Sequence, residues 1–140
     1  MYATEADMVN RYGRDELVEL TDRSDPPADA IDGTVLATAL DAARAEIDAH
    51  IGRAYTLPLA TVPPILTSIA CAIARWRLHT DQEDGKFRTD YEDGVRILQR
   101  IAEGKMVLDV PDAADPEPTG GRVRGHASPR VFTRDSLRGF

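Results

Sequence analysis

The sequence predicts an all-α protein: a small four-helix bundle-like domain with an extended C-terminal arm. Three observations lead there. Apolar residues recur at helical spacing in several separate stretches. Proline falls between those stretches or in a first helical turn, where it is tolerated. From Pro111 onward the composition changes to Pro, Asp, Gly, Thr and Arg, too polar to offset the entropy of ordering a packed core.

The first helix opens at Thr4, whose hydroxyl can accept from the N–H of Asp7, with acids in the first turn where the helix dipole favours them. Met8, Val9 and Tyr12 form its inward face, and Gly13 ends it. Asp15 begins a short further turn carrying Leu17, Val18 and Leu20, followed by a polar loop with Pro26 and Pro27. Asp32 is placed to cap a helix over about 33–51. Its apolar positions, Leu36, Leu40, Ala43, Ile47 and Ile51, form a single stripe. Gly52 stands where a C-terminal cap glycine would.

Pro58, Pro63 and Pro64 forbid a continuous helix, so the next stretch reads as an extended connector with buried Leu57 and Leu59. Proline is tolerated in a first helical turn, so the pair at 63–64 can open the third helix, running to about Thr80. Ile65, Ile69, Ile73 and Trp76 make one stripe of it, widened by Leu66, Ala70, Ala74 and Leu78. A helix apolar around most of its circumference belongs at the centre of a bundle. After a polar turn at 81–85, a fourth helix over about 86–103 carries Phe87, Tyr91, Val95, Leu98 and Ile101. Arg88, Glu92 and Arg96 lie outside at i,i+4 spacing. Gly104 is a natural stop, and Met106, Leu108 and Val110 then alternate as in a short strand. The domain division follows: residues 1–104 form the helical domain, and 105–140 a short strand, a flexible linker and a docking arm.

The 140 residues suit one domain, and a hydrophobic fraction of 42% suffices for one core. The formal net charge is −7, but it is divided. Residues 120–140 carry five arginines against one acid, a local charge of +4, which leaves −11 on residues 1–119. An acidic body repels phosphate backbones, so duplex DNA is not the expected ligand of the whole chain. The arm ends in Val131, Phe132, Arg134, Leu137, Arg138 and Phe140, apolar residues interleaved with cations. Such a segment needs a protein groove, and these six are the candidate interaction residues.

No chemistry-bearing constellation emerges. His50, His79 and His126 lack a second ligand at metal spacing. Cys71 sits between alanines, with nothing beside it to lower its pKa. Asp41 with Asp48, or Glu83 with Asp84, read as solvated acids rather than an acid–base pair. Gly120-Gly121 reads as a hinge and not a phosphate loop. Neither catalysis nor a cofactor or metal is expected. The N-terminus has no basic start or apolar run, which predicts no signal peptide. The longest apolar stretch, 69–74, is too short for a bilayer.

Short blocks spread in order along the chain carry a resemblance. They are MYAT at 1–4, RYG at 11–13, EL at 16–17, LTDR at 20–23, EID at 46–48, RAYTLPL at 53–59 and VPP at 62–64. IARWRL at 73–78, YED at 91–93, GK at 104–105 and FTRDSLRGF at 132–140 follow. In this succession the chain resembles the neck (head–tail connector) proteins of Mu-like tailed bacteriophages. Glu5 stands where that family commonly has proline, Ala49-His50 replaces a frequent Gly-Tyr, and Trp76 replaces a tyrosine. Packing tolerates all three changes.

The resemblance implies a structural adaptor in the virion neck, assembled in the host cytoplasm. Its partners would be the portal protein, tail-completion or tail proteins, and itself, in a closed ring of about twelve copies. DNA would pass through the channel without specific binding, and no membrane is involved. An alternative from the residues alone is a DNA-binding or packaging accessory acting through the basic tail.

Overall fold

The computed structural model describes residues 1–79 and 85–110. The turn at 81–84, the linker and the whole arm, including Val131, Phe132, Arg134, Leu137, Arg138 and Phe140, lie outside the described residues. Within them the fold is all-helical, with five helices where four were expected: α1 (Glu5–Tyr12), α2 (Arg14–Thr21), α3 (Gly33–Ile51), α4 (Pro64–Leu78) and α5 (Lys86–Ala102). The additional helix is α2, where the sequence predicts only a short turn. Gly13, at φ 88°, takes the backbone through a sharp corner so that a second helix starts immediately.

The start of α1 is a complete capping box. The Thr4 hydroxyl accepts from the Asp7 N–H at 3.3 Å, and the Asp7 carboxylate accepts from the Thr4 N–H at 2.8 Å. The Thr4 hydroxyl, which also lies 2.7 Å from the Asp7 carboxylate, and then the Thr4 N–H hold that carboxyl below its ordinary pKa. The loop between α2 and α3 is organised by one carboxylate, Asp22, which accepts from the backbone N–H of Ser24, Ala28 and Asp29. Asp32 caps α3 through Thr34 and Val35 as expected. Thr21, fully buried, donates to the Leu17 carbonyl at 2.6 Å and accepts from the Asp32 N–H at 3.0 Å, joining the end of α2 to the start of α3.

α4 is the central element and packs against both α3 and α5. Leu66, Ile69, Ala70, Cys71, Ala72, Ile73, Ala74 and Leu78 are all buried on it. The expected α3 stripe is buried throughout, with Ala39 added. Burying each large aliphatic residue here contributes about 1.5–3 kcal/mol. On α4 the stripe is rotated from the sequence reading: Ile65 is 36% exposed, and Leu66 takes the inner place. On α5 it is Gly94, not Val95, that is buried with Phe87, Leu98 and Ile101. A Cβ at Gly94 would lie 3.3 Å from Ile69 Cγ2, so the missing side chain lets α5 approach α4. On the outer face, Arg88 pairs with Glu92 at 2.9 Å as expected, whereas Arg96 pairs with Asp93 at 2.7 Å.

Two polar clasps tie the helices together. Arg75 of α4 donates to Glu16 of α2 at 2.6 Å and lies 3.8 Å from Asp90 of α5. Its guanidinium also sits 4.6 Å from the Tyr12 ring centroid of α1. Glu46 of α3 accepts from Arg77 of α4 at 2.6 Å and from the Tyr91 hydroxyl of α5 at 2.9 Å.

One local expectation, the strand after α5, is corrected. Gly52 is the C-cap of α3 as expected, in a right-handed conformation at φ −62° and ψ −12°. The left-handed glycine is Gly104, at φ 69°, after α5. Residues 105–110 form no strand. The alternation is real, with Leu108 only 3% exposed and Val107 59% exposed, but no strand pairs with it among the described residues. The segment lies on the bundle instead, and the Leu108 N–H donates to the buried Tyr55 hydroxyl at 2.8 Å.

Replacing Tyr55 with Phe strands that buried amide, and is expected to cost about 1–2 kcal/mol. Denaturant unfolding measures the loss. Native-state hydrogen exchange at Leu108 should accelerate more than at Leu66; equal acceleration at both would mean the tether is not local.

Candidate interaction surfaces

The buried cysteine offers little chemistry. Desolvation pushes the Cys71 thiol up to about 11, with Arg11 opposing, so it stays protonated and a poor nucleophile. Asp48, one of the carboxylates considered for acid–base work, has structural partners: it accepts from the Tyr2 hydroxyl and lies 3.6 Å from Arg44. Burial and that carboxylate raise the Tyr2 phenol well above its ordinary value. Asp41 is exposed on α3. Among the described residues no three His, Cys, Asp or Glu side chains gather as a metal site. Glu83, Asp84, His126 and Gly120-Gly121 lie outside the described residues. None of the described helices is long and apolar enough to cross a membrane.

Three concave surfaces stand out among the described residues. The first, about 490 Å³, lies between the N-terminal segment, the Arg44–Asp48 stretch of α3 and the 52–63 connector. Tyr2, buried and bonded to Asp48, pins the N-terminus as one wall, and leaves Met1 62% exposed. Leu57, Pro58, Leu59 and Val62 supply the rest. Here sequence reading placed Leu57 and Leu59 in the core. They are half-buried, packed on the core with one side and lining the groove with the other. Prolines at 58, 63 and 64 keep this connector out of a helix, and it runs through turns and bends whose side chains cannot all turn inward.

The second surface, about 360 Å³, is lined by Arg23, Val35, Thr38, Ala39, Ala42, Arg77 and Leu78. The third, about 450 Å³, is a ledge formed by Trp76, Tyr91, Arg88 and Glu92. Its floor is part of an aromatic series that sequence reading missed. His79 stacks on Phe87 at 3.9 Å between centroids, Phe87 lies 5.8 Å from Trp76, and Trp76 lies 5.4 Å from Tyr91. The available signal was the i,i+3 pair Trp76/His79 on one helix end opposite the i,i+4 pair Phe87/Tyr91 on the next.

The His79 Nε2 is buried and has no hydrogen-bond partner among the described residues. Desolvation first, then Arg75, lower its pKa below the ordinary 6.5, with Glu16 and Glu19 opposing. The unfolded chain therefore binds this proton more readily than the folded one. The His79 contribution is intact above pH 6.5 and is lost as the pH falls below it toward the depressed folded value. Urea midpoints at pH 7.5 and 5.5 should show the lower stability at 5.5, and His79→Gln should remove that part of the difference. A midpoint that rises on acidification would contradict the assignment.

The comparisons with known proteins agree with one another. The family described as Bacteriophage Mu, Gp36 matches residues 2–127. The Mu-like prophage FluMu protein gp36 of Haemophilus influenzae (strain ATCC 51907 / DSM 11121 / KW20 / Rd) is 30% identical over 140 residues, covering 100% of this chain and 98% of its own length. Gene product J of Escherichia phage Mu is 33% identical over 140 residues, covering 99% of this chain and 98% of its own. With a match over most of its length and two relatives aligned end to end, this chain belongs to the bacteriophage Mu Gp36 family.

Proposed function

We propose that this phage-family protein is a structural head–tail connector, an adaptor of the virion neck that forms a ring between portal and tail. The observation that carries the reading is the division of the chain into two unlike parts. One is a helical body whose described core closes on itself around α4; the other is a terminal segment whose sequence is both basic and apolar. A head-to-tail ring needs two different surfaces on each subunit, and a body with a separate adhesive arm supplies them. Val131, Phe132, Arg134, Leu137, Arg138 and Phe140 are the residues of that arm proposed to bind the portal or the neighbouring subunit.

Charge supports the same role. Residues 1–32 hold nine acids against three bases, so the α1–α2 end of the body is strongly acidic. Like charge keeps DNA sliding past rather than captured. In this reading the ring has about twelve copies, matching the symmetry of the portal it closes on. The remaining partners are a tail-completion or tail protein, and assembly takes place in the host cytoplasm.

The basic tail favours one second reading, a packaging accessory that grips DNA. The two differ in salt dependence. If all five arginines of 120–140 met phosphates, log affinity would fall with log salt at a slope of about −4 to −5.

Deleting the gene from an inducible phage tests the connector directly. The expected lysate contains filled heads and complete tails that are not joined, with joining restored when the purified protein is added. Normal joined particles would overturn the reading, and empty heads with a steep salt-dependent DNA affinity of the protein would replace it with the packaging one.

A further inference from the structure

We propose that the groove between the N-terminal segment, α3 and the 52–63 connector receives residues 131–140 of a second copy of this chain. The inference rests on the arm of the connector reading and adds its receptor.

Chemical match is the first argument. The groove is walled by exposed Met1 and by half-buried Leu57, Leu59 and Val62, apolar surface already supported from behind by the core. The arm brings Val131, Phe132, Leu137 and Phe140, which are costly to leave in water.

Charge is the second argument, and it selects this groove from the three. Arg44 and Asp48 line the groove, and Asp41, three residues before Arg44 on the same face of α3, adds a second carboxylate beyond that lining. The Asp48 side chain remains 32% exposed. It can take a cation from Arg134 or Arg138 while Phe132 or Leu137 enters the apolar part. The surface beside α4 instead presents Arg23 and Arg77, which repel an arm carrying five arginines. The Trp76 ledge has Arg88 and Glu92 for half of its lining.

Reach is the third argument. The described chain ends at Val110, with Leu108 bonded to Tyr55, two residues before the groove residue Leu57. Twenty residues separate Val110 from Val131. Extended, such a stretch spans up to roughly 65 Å, enough to pass over the subunit boundary into the same groove of the next copy. An arm from each copy in the groove of the next is a heterologous contact, and that is the kind that closes rings.

Photocrosslinking of the full chain tests this. Benzoylphenylalanine is placed at Phe132, ¹⁴N and ¹⁵N preparations are mixed at high concentration and irradiated, and adducts are mapped by mass spectrometry. Mixed-isotope adducts on Met1 and residues 57–62 are expected. Leu59→Asp and Phe140→Ser, each with circular dichroism to check its fold, should each cut these adducts by about tenfold, the loss of one buried apolar contact. Adducts confined to single isotopes, or mixed adducts on the Trp76 ledge or the Arg23–Arg77 surface, would overturn the assignment. So would unchanged adducts in both variants, or no mixed adducts at all. If in those cases deletion of the gene still leaves heads and tails unjoined, the connector reading survives and only its receptor is wrong.

Discussion

α4 is the constraint on which the rest of the domain depends. Its run of small residues from Ala70 to Ala74, broken only by Ile73, gives a helix slim enough for neighbours to pack closely on several sides. α3 lies against it with an unbroken apolar stripe, and α5 closes over it where Gly94 meets Ile69. A helix buried on so much of its surface leaves few places for charge. Arg75 and Arg77 emerge at its C-terminal end, where cations suit the helix dipole. There Arg75 becomes the centre of one clasp and Arg77 a donor to Glu46 in the other, rather than solitary surface charges. Because Arg75 is only 18% exposed and meets Glu16, Asp90 and the Tyr12 ring, its desolvation is offset by several partners at once.

The N-terminal third is held differently. α1 and α2 are two turns each and together bury only Met8, Leu17 and Thr21 fully. Polar geometry supplies much of the remaining order: the Thr4–Asp7 box, the Tyr2–Asp48 bond, the Thr21 bridge to Asp32 and the three amides gathered by Asp22. The segment is also where the acids concentrate. An acidic end fixed by local hydrogen bonds onto a hydrophobic bundle gives the body a charged face without burying charge in its core.

The connector between α3 and α4 has the opposite character. Its prolines prevent a helix, and an irregular chain carrying Leu57, Leu59 and Val62 turns only part of its apolar surface inward. What remains, together with the N-terminus pinned by Tyr2, becomes the groove. A connector with one apolar side outward and an arm with apolar residues and cations are complementary features of a single chain.

How much of this was legible follows from what each signal depends on. The α3 stripe, the Thr4 and Asp32 caps, the proline opening of α4 and the stop at Gly104 depend on residues within a turn or two of each other, and all of them could be read in order along the chain. Charge division and the apolar arm are likewise properties of sequence alone. Tertiary structure decided whatever depends on which neighbour a residue meets. Gly94 has no side chain to register in a periodicity, so its burial against Ile69 was invisible, and the stripe was placed one residue away at Val95. The alternation at 106–110 was real, but only the fold supplied the Tyr55 hydroxyl in place of a strand partner. Leu57 and Leu59 were apolar and therefore assigned to the core. Their half-burial, and with it the groove, arises because the connector, the N-terminus and α3 meet in space from distant parts of the chain.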